Sequence, residues 1–173
     1  MAIKVLIPKV LGRPLGMYSH GVVAPGGELV VVAGQVGMDG AGRVAGADVG
    51  SQTKQALENI RAVLGNAGCS IRDVVRLQTF LTRADDIEGF MQARREVFPQ
   101  YFPDGVYPPN TLVVISQLVR PELLVEIEAM AVKPTRPGQG VGPQAGAAAK
   151  KARAVTRKGR VAARKRRPAG RRR

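Results

Sequence analysis

The run Glu28-Leu-Val-Val-Val-Ala-Gly34 is short, rich in β-branched residues and flanked by glycines, which predicts a buried strand between turns. Met17 to Val23 reads as its partner strand, with Pro25-Gly-Gly27 as the turn between them and Gly37 to Arg43 as loop. From Ser51 to Leu64 the period changes. Ala56, Leu57, Ile60, Val63 and Leu64 recur at helical spacing, Ser51 can cap the start, and Gly65-Asn66 with Gly68 supplies the stop. Asp73 to Thr82 alternates again, with Val75, Leu77, Thr79 and Leu81 against Arg76, Gln78 and Phe80, as a strand with one drier face does. A second helix follows from the capping candidate Asp85, with Ile87, Phe90, Met91, Val97, Phe98, Tyr101 and Phe102 on a stripe that Arg94 and Arg95 interrupt. Pro99 should kink this helix or end its regular part near Phe98. After an extended Tyr107-Pro-Pro109, the segments Asn110 to Ser116 and Leu123 to Val132 read as two strands joined through Val119-Arg-Pro121. In the second, Glu126 and Glu128 share one face, and Val125, Ile127 and Ala129 the other. The order β-β-α-β-α-β-β predicts an α+β domain, a mixed sheet with two helices on one face.

Charge divides the chain in two. Residues 1–132 hold 12 Lys and Arg and all 13 Asp and Glu, a net charge of −1, while residues 133–173 hold the other 15 Lys and Arg and no acid. The formal net charge of +14 therefore describes a near-neutral domain with a cationic extension, not a basic globular surface. A domain over 1–132 can bury roughly two thirds of its unfolded-chain surface without help from disulfides or metal. Cys69 and His20 are the single residues of their kinds, so no intramolecular disulfide and no Cys/His ligand cluster can form. His20 has no nucleophile beside it and reads as a structural or surface residue. Lys4, Pro8 and Lys9 break up the apolar start, unlike a signal peptide, and no stretch approaches the ~18 apolar residues of a membrane span. The expected compartment is the cytoplasm, with no membrane partner.

Four ordered blocks carry a resemblance: Gly16-Met-Tyr-Ser19, Val32-Ala-Gly-Gln-Val36, Gln52 to Asn59 continuing to Asp73-Val-Val75, and Leu124-Val-Glu-Ile-Glu-Ala129. From about Tyr18 to Val132 the chain resembles the Rid family, the reactive intermediate deaminases also called RidA, YjgF or L-PSP proteins. The resemblance implies a chorismate-mutase-like fold and a homotrimer whose sheets meet at the centre, with a ligand cleft at each subunit interface. It also implies hydrolysis of enamine or imine products of amino-acid dehydratases, with no metal or organic cofactor.

Carried over by position, Glu126 matches the Glu that directs water, Tyr18 the Tyr at the mouth, and Gly34 the Gly whose backbone helps hold the ligand. The family's carboxylate-clamping Arg follows a Pro-Ala lead-in, where this chain has Pro108-Pro109-Asn110-Thr111. A guanidinium binds a carboxylate bidentately with full charge, whereas Asn110 offers one neutral amide. Removing one side of a buried charge pair costs about 2–5 kcal/mol. Aligning Arg95-Glu-Val-Phe98 with the family's Asn-Glu-Val-Tyr places Arg95 at the cleft, as though Asn and Arg had been exchanged; Arg94 takes its place if the register shifts by one. As solvated helix residues, both would instead cover apolar surface with their stems. Glu126 could serve as a base whose pKa its like-charged neighbour Glu128 raises, or both could be acceptors at an interface.

Two functions follow. The first is a Rid-like hydrolase acting on a small imine, enamine or related C–N compound; the second is a trimer that holds a small metabolite without turnover. A ribonuclease is disfavoured by the lack of a His–His or His–Lys arrangement. Residues 135–149 are mostly Gly, Pro, Gln and Ala, and from Lys150 to Arg173 thirteen residues are Lys or Arg, so 133–173 should be disordered alone. With no aromatic residue for base stacking, the tail could meet nucleic acid or another polyanion only through phosphates or other anionic groups. A solvated extension without a role and a gene-end artefact are the competing readings.

Overall fold

The structure, a computed structural model, describes residues 2–135. Its elements in chain order are β1 (Lys4–Leu6), β2 (Gly21–Val23), β3 (Gly27–Val36), α1 (Val49–Asn66), β4 (Val74–Leu81), α2 (Ile87–Tyr101), β5 (Asn110–Val114) and β6 (Val125–Pro134). Four strands form one sheet in the order β3-β6-β4-β5, antiparallel across β6 and parallel between β4 and β5, which is the expected mixed α+β sheet. Val125, Ile127, Ala129 and Ala131 of β6 share one core with Ala56, Leu57, Ile60 and Leu64 of α1 and Phe90 and Phe98 of α2. Both helices thus back the same face.

Gln52 locks that layer together. It is fully buried on α1, donates to the carbonyls of Gly46 and Glu122, and accepts from the Leu124 amide, each at 2.9 Å. A buried amide side chain is retained only when its hydrogen bonds are made, and these tie the helix to the lead-in of β6.

Several expectations are corrected. The segment 17–23 does not pair with β3. Only Gly21–Val23 is strand, and it pairs antiparallel with β1, Val5 opposite Val22. Pro25, which has no N–H to donate, separates it from β3, and Met17 is drawn instead toward α2. α1 starts two residues before Ser51, because the Asp48 side chain caps it by accepting from the Ser51 amide at 2.7 Å. Pro99 does not end α2. It sits in the last turn, where its missing N–H removes a single bond, and Phe102 still donates to the Phe98 carbonyl at 2.7 Å. β6 runs to Pro134, where the sequence suggested an end at Val132. The basic, disordered tail expected over 133–173 lies outside the described residues from 136 onward.

Candidate functional site

Glu126 stands on the sheet face turned away from the helices, opposite Val36 of β3 and Phe80 of β4. The β3–β6 register shifts between Val32 and Gln35, a bulge that brings Gly34 under the Glu126 side chain. A Cβ built on Gly34 would overlap Oε1 of Glu126 and lie 2.5 Å from its Cδ. Glycine is therefore the residue that allows the carboxylate to lie there. Burial raises the Glu126 carboxyl above the usual carboxylate range, and the charge of Glu128 on the same face pushes the same way. Both acids open onto a groove of about 430 Å³ with Phe80, Leu118 and Val119.

Tyr18 lies elsewhere on the protomer. With Leu15, Gly16 and Met17 it forms one wall of a groove of about 410 Å³, whose other wall is α2 through Glu88, Met91, Arg94 and Arg95. Its hydroxyl accepts from the Leu15 amide at 3.3 Å, and its ring meets His20 edge-on at 6.4 Å.

The two arginines differ sharply. Arg95 is half exposed and donates to Glu88, and to Gln92 at 2.9 Å, so its charge is spent at the rim. Arg94 is buried, with Cζ 4.4 Å from the Phe98 ring centroid and 5.5 Å from that of Phe90, and it donates to the Met17 carbonyl. Burial lowers its pKa to about 10. The sequence held a signal for this, since Arg94 falls four residues after Phe90 and four before Phe98 and so lies between two rings on one helix face.

Asn110 opens β5 and accepts from the Thr79 hydroxyl at 3.0 Å; it lines neither groove. On one protomer, Gly34 and Glu126 meet, Tyr18 shares a groove with both arginines, and Asn110 stands apart. Among the described residues no cluster of three His, Cys, Asp or Glu could hold a metal ion, and no helix is long and apolar enough to cross a membrane.

A four-stranded mixed sheet with two helices on one face and a carboxylate lying over a strand glycine on the other defines an α+β fold of the Rid/YjgF kind. The family model described as Endoribonuclease L-PSP matches residues 11–133, and the chain belongs to that family. It is 34% identical over 134 residues to a RutC family protein of Pyrococcus abyssi, covering 77% of this chain and 99% of that one. To the 2-iminobutanoate/2-iminopropanoate deaminase of Salmonella typhimurium it is 28% identical over 119 residues, covering 69% and 89%. The crystal structure of the Rid family protein YyfB of Yersinia pestis superposes with a TM-score of 0.67 at 31% identity, covering 77% of this chain and 100% of that one. The family match ends at residue 133, so the basic extension lies outside it.

Proposed function

We propose that this chain is a cofactor-free, deaminase-type hydrolase that opens the C–N bond of a small imine or enamine, in a cleft shared between subunits of a homotrimer. The observation that carries this reading is the Glu126 carboxylate lying over Gly34 with its pKa raised by burial, which makes it a stronger base than a solvated carboxylate. Glu126 takes a proton from water as the oxygen adds to the C=N carbon. The nitrogen of the resulting carbinolamine is protonated, the C–N bond breaks, and ammonia leaves as the hydroxyl proton is lost and C=O forms. The balance is imine plus water to carbonyl compound plus ammonia. An enamine enters the same sequence after protonation at carbon. The separation of the Tyr18 groove from Glu126 on one protomer supports a shared cleft, and the activity named for the Salmonella typhimurium relative supports the reaction class.

Imines generated in solution from a panel of amino acids, with ammonia release followed, test this reading. Glu126→Gln should lower the rate about 10²- to 10⁴-fold. If Asn110 alone faces its carboxylate, the imine derived from 2-aminoacrylate should be turned over weakly, because Asn110 has no charge with which to clamp it. Equal rates in the wild type and Glu126→Gln remove Glu126 from the chemistry. The engagement of Asn110 with Thr79 favours the second reading, a trimer that binds a metabolite without turnover. Ligand binding with no ammonia from any imine would establish it.

The extension supports a separate proposal, non-specific contact with nucleic-acid phosphates by the 14 cations of residues 136–173. Binding should fall with salt at a log–log slope near −0.9 per phosphate engaged on duplex DNA. Removing residues 136–173 should abolish it while leaving the cleft intact. Equal duplex binding by both forms at low salt would refute it.

A further inference from the structure

Arg94 is 2% exposed, yet among the described residues no carboxylate neutralises it. Its polar contacts are the Met17 carbonyl and, at 3.9 Å, the Met91 sulfur; its Nε has no partner. Two residues beyond Met17, Ser19 is also buried, and its hydroxyl likewise has no partner. Buried cations are ordinarily paired, because leaving water without an anion is strongly unfavourable. An unpaired guanidinium beside an open groove is a binding site that lacks its anion.

The groove specifies that anion's chemistry. At the rim Arg95 and Glu88 neutralise each other, so the net charge of the lining is that of Arg94 alone. One cation matches a monoanion better than a phosphate dianion. A planar guanidinium also matches the two oxygens of a carboxylate. Leu15, Met17 and Met91 give the remaining wall an apolar character suited to a short aliphatic chain.

We propose that Arg94, reached from the Tyr18 groove, is the specificity-determining residue that selects a small aliphatic monocarboxylate as this chain's ligand. It supplies from α2 the charge that Asn110 cannot supply from β5. The inference deepens the deaminase reading by naming the ligand class, and it rests on that reading only for what happens to the ligand once bound.

Titration of the full chain with butyrate and with its neutral isostere butyramide, followed by NMR, tests it. Butyrate should bind about 30-fold or more tightly than butyramide and shift the signals of residues 15–19 and of α2. Arg94→Met should lose that preference, and Arg94→Lys should keep part of it. Equal binding of acid and amide, no binding of either, or an undiminished acid preference in Arg94→Met would overturn the proposal. If Arg94→Met fails to fold, the acid–amide comparison on the wild type decides alone. Acid preference without ammonia release from any imine keeps Arg94 as the selector and sinks the deaminase reading. Turnover of imines with no acid preference does the reverse.

Discussion

Along β6 the side chains alternate between two surroundings. Val125, Ile127, Ala129 and Ala131 are buried against the helices, while Glu126, Glu128 and Met130 occupy a face that no element within residues 2–135 closes off. On the covered face Gln52 makes three hydrogen bonds and Thr79 donates to Asn110, while the buried Thr53 hydroxyl is the exception without a partner. On the open face Leu29 and Val31 remain 63% and 62% exposed, and nothing within these residues holds the Glu126 carboxyl at its ordinary pKa. Contiguous exposed apolar surface beside a carboxyl of raised pKa is the kind of surface a partner or ligand covers. Burial is concentrated on one face of the sheet and the proposed chemistry on the other, so substitutions one residue apart in sequence should separate the two.

The largest effect is expected on the covered face. Gln52→Leu keeps the volume but leaves two carbonyls and one amide without their partner. Each buried unsatisfied group costs about 1–3 kcal/mol, so the loss should be about 3 kcal/mol or more, read as a fall in the midpoint of urea unfolding. An unchanged midpoint would mean that water takes over these bonds and that the covered face is less closed than described. Next comes Gly34→Ala on the open side, whose Cβ would overlap Glu126 Oε1 and force the carboxylate aside. Ammonia release should fall by about 100-fold, close to the loss in Glu126→Gln, with a much smaller change in unfolding midpoint than Gln52→Leu causes. Wild-type rates in Gly34→Ala would show that the position of the carboxylate does not matter.

The covered face was legible in the sequence because its signal is periodic. The spacing of Ala56, Leu57, Ile60 and Leu64, and the alternation about Glu126 and Glu128, report burial directly, and burial is what builds the helices and the sheet. Gln52 was visible only as part of a resembling block, since one polar residue on an apolar stripe says nothing of its three partners, one of which lies 72 positions away. Segment 17–23 was misread for a related reason. Apolar residues can announce a strand without saying which neighbour it pairs with, and the choice of β1 over β3 depends on Pro25 and on where Met17 is held. Of the proposed site, the Gly34–Glu126 pair followed from the resemblance. The contrast between Arg94 and Arg95 did not, because a shift of one residue on a helix turns a side chain by about 100° and exchanges a buried position for an exposed one.

A smaller effect on folding, but a clear one on assembly, is expected from charging the open face. Val31→Asp places a carboxylate on the exposed apolar strip of Leu29 and Val31, beside Met130 and in a groove that Glu128 and Arg76 also line. Light scattering should show a lower mass than for the wild type, while far-UV circular dichroism stays the same, because Val31 contributes nothing to the helix-backed core. A wild type that is monomeric at micromolar concentration would remove the shared cleft and leave each groove to be explained alone.

The smallest effect separates two acids by the sign of their pH dependence. The Asp48 carboxyl lies below its usual range, chiefly because the Ser51 amide donates to it. Its folded form thus binds a proton less tightly than its unfolded form, and the stability it contributes is present above the unfolded pKa and lost as pH falls through the folded one. Glu126 lies above its range, through burial first and Glu128 second, so its folded form holds the proton more tightly. The contribution of Glu126 is favourable at low pH and is lost as pH rises through the window just above the ordinary glutamate value. Glu126→Gln should therefore gain on the wild type in melting temperature as pH rises from 4 to 7, an amount set by a partly solvated group and so by a few degrees at most. Asp48→Asn, which keeps a capping oxygen, should lie behind the wild type throughout that range and draw level with it only as pH falls below the ordinary aspartate value. Parallel melting curves for Glu126→Gln and the wild type would mean that the assembled protein supplies Glu126 with a donor or cation from a neighbouring subunit. Arg94 of an adjacent copy would then be the first group to test, by repeating the series in Arg94→Lys.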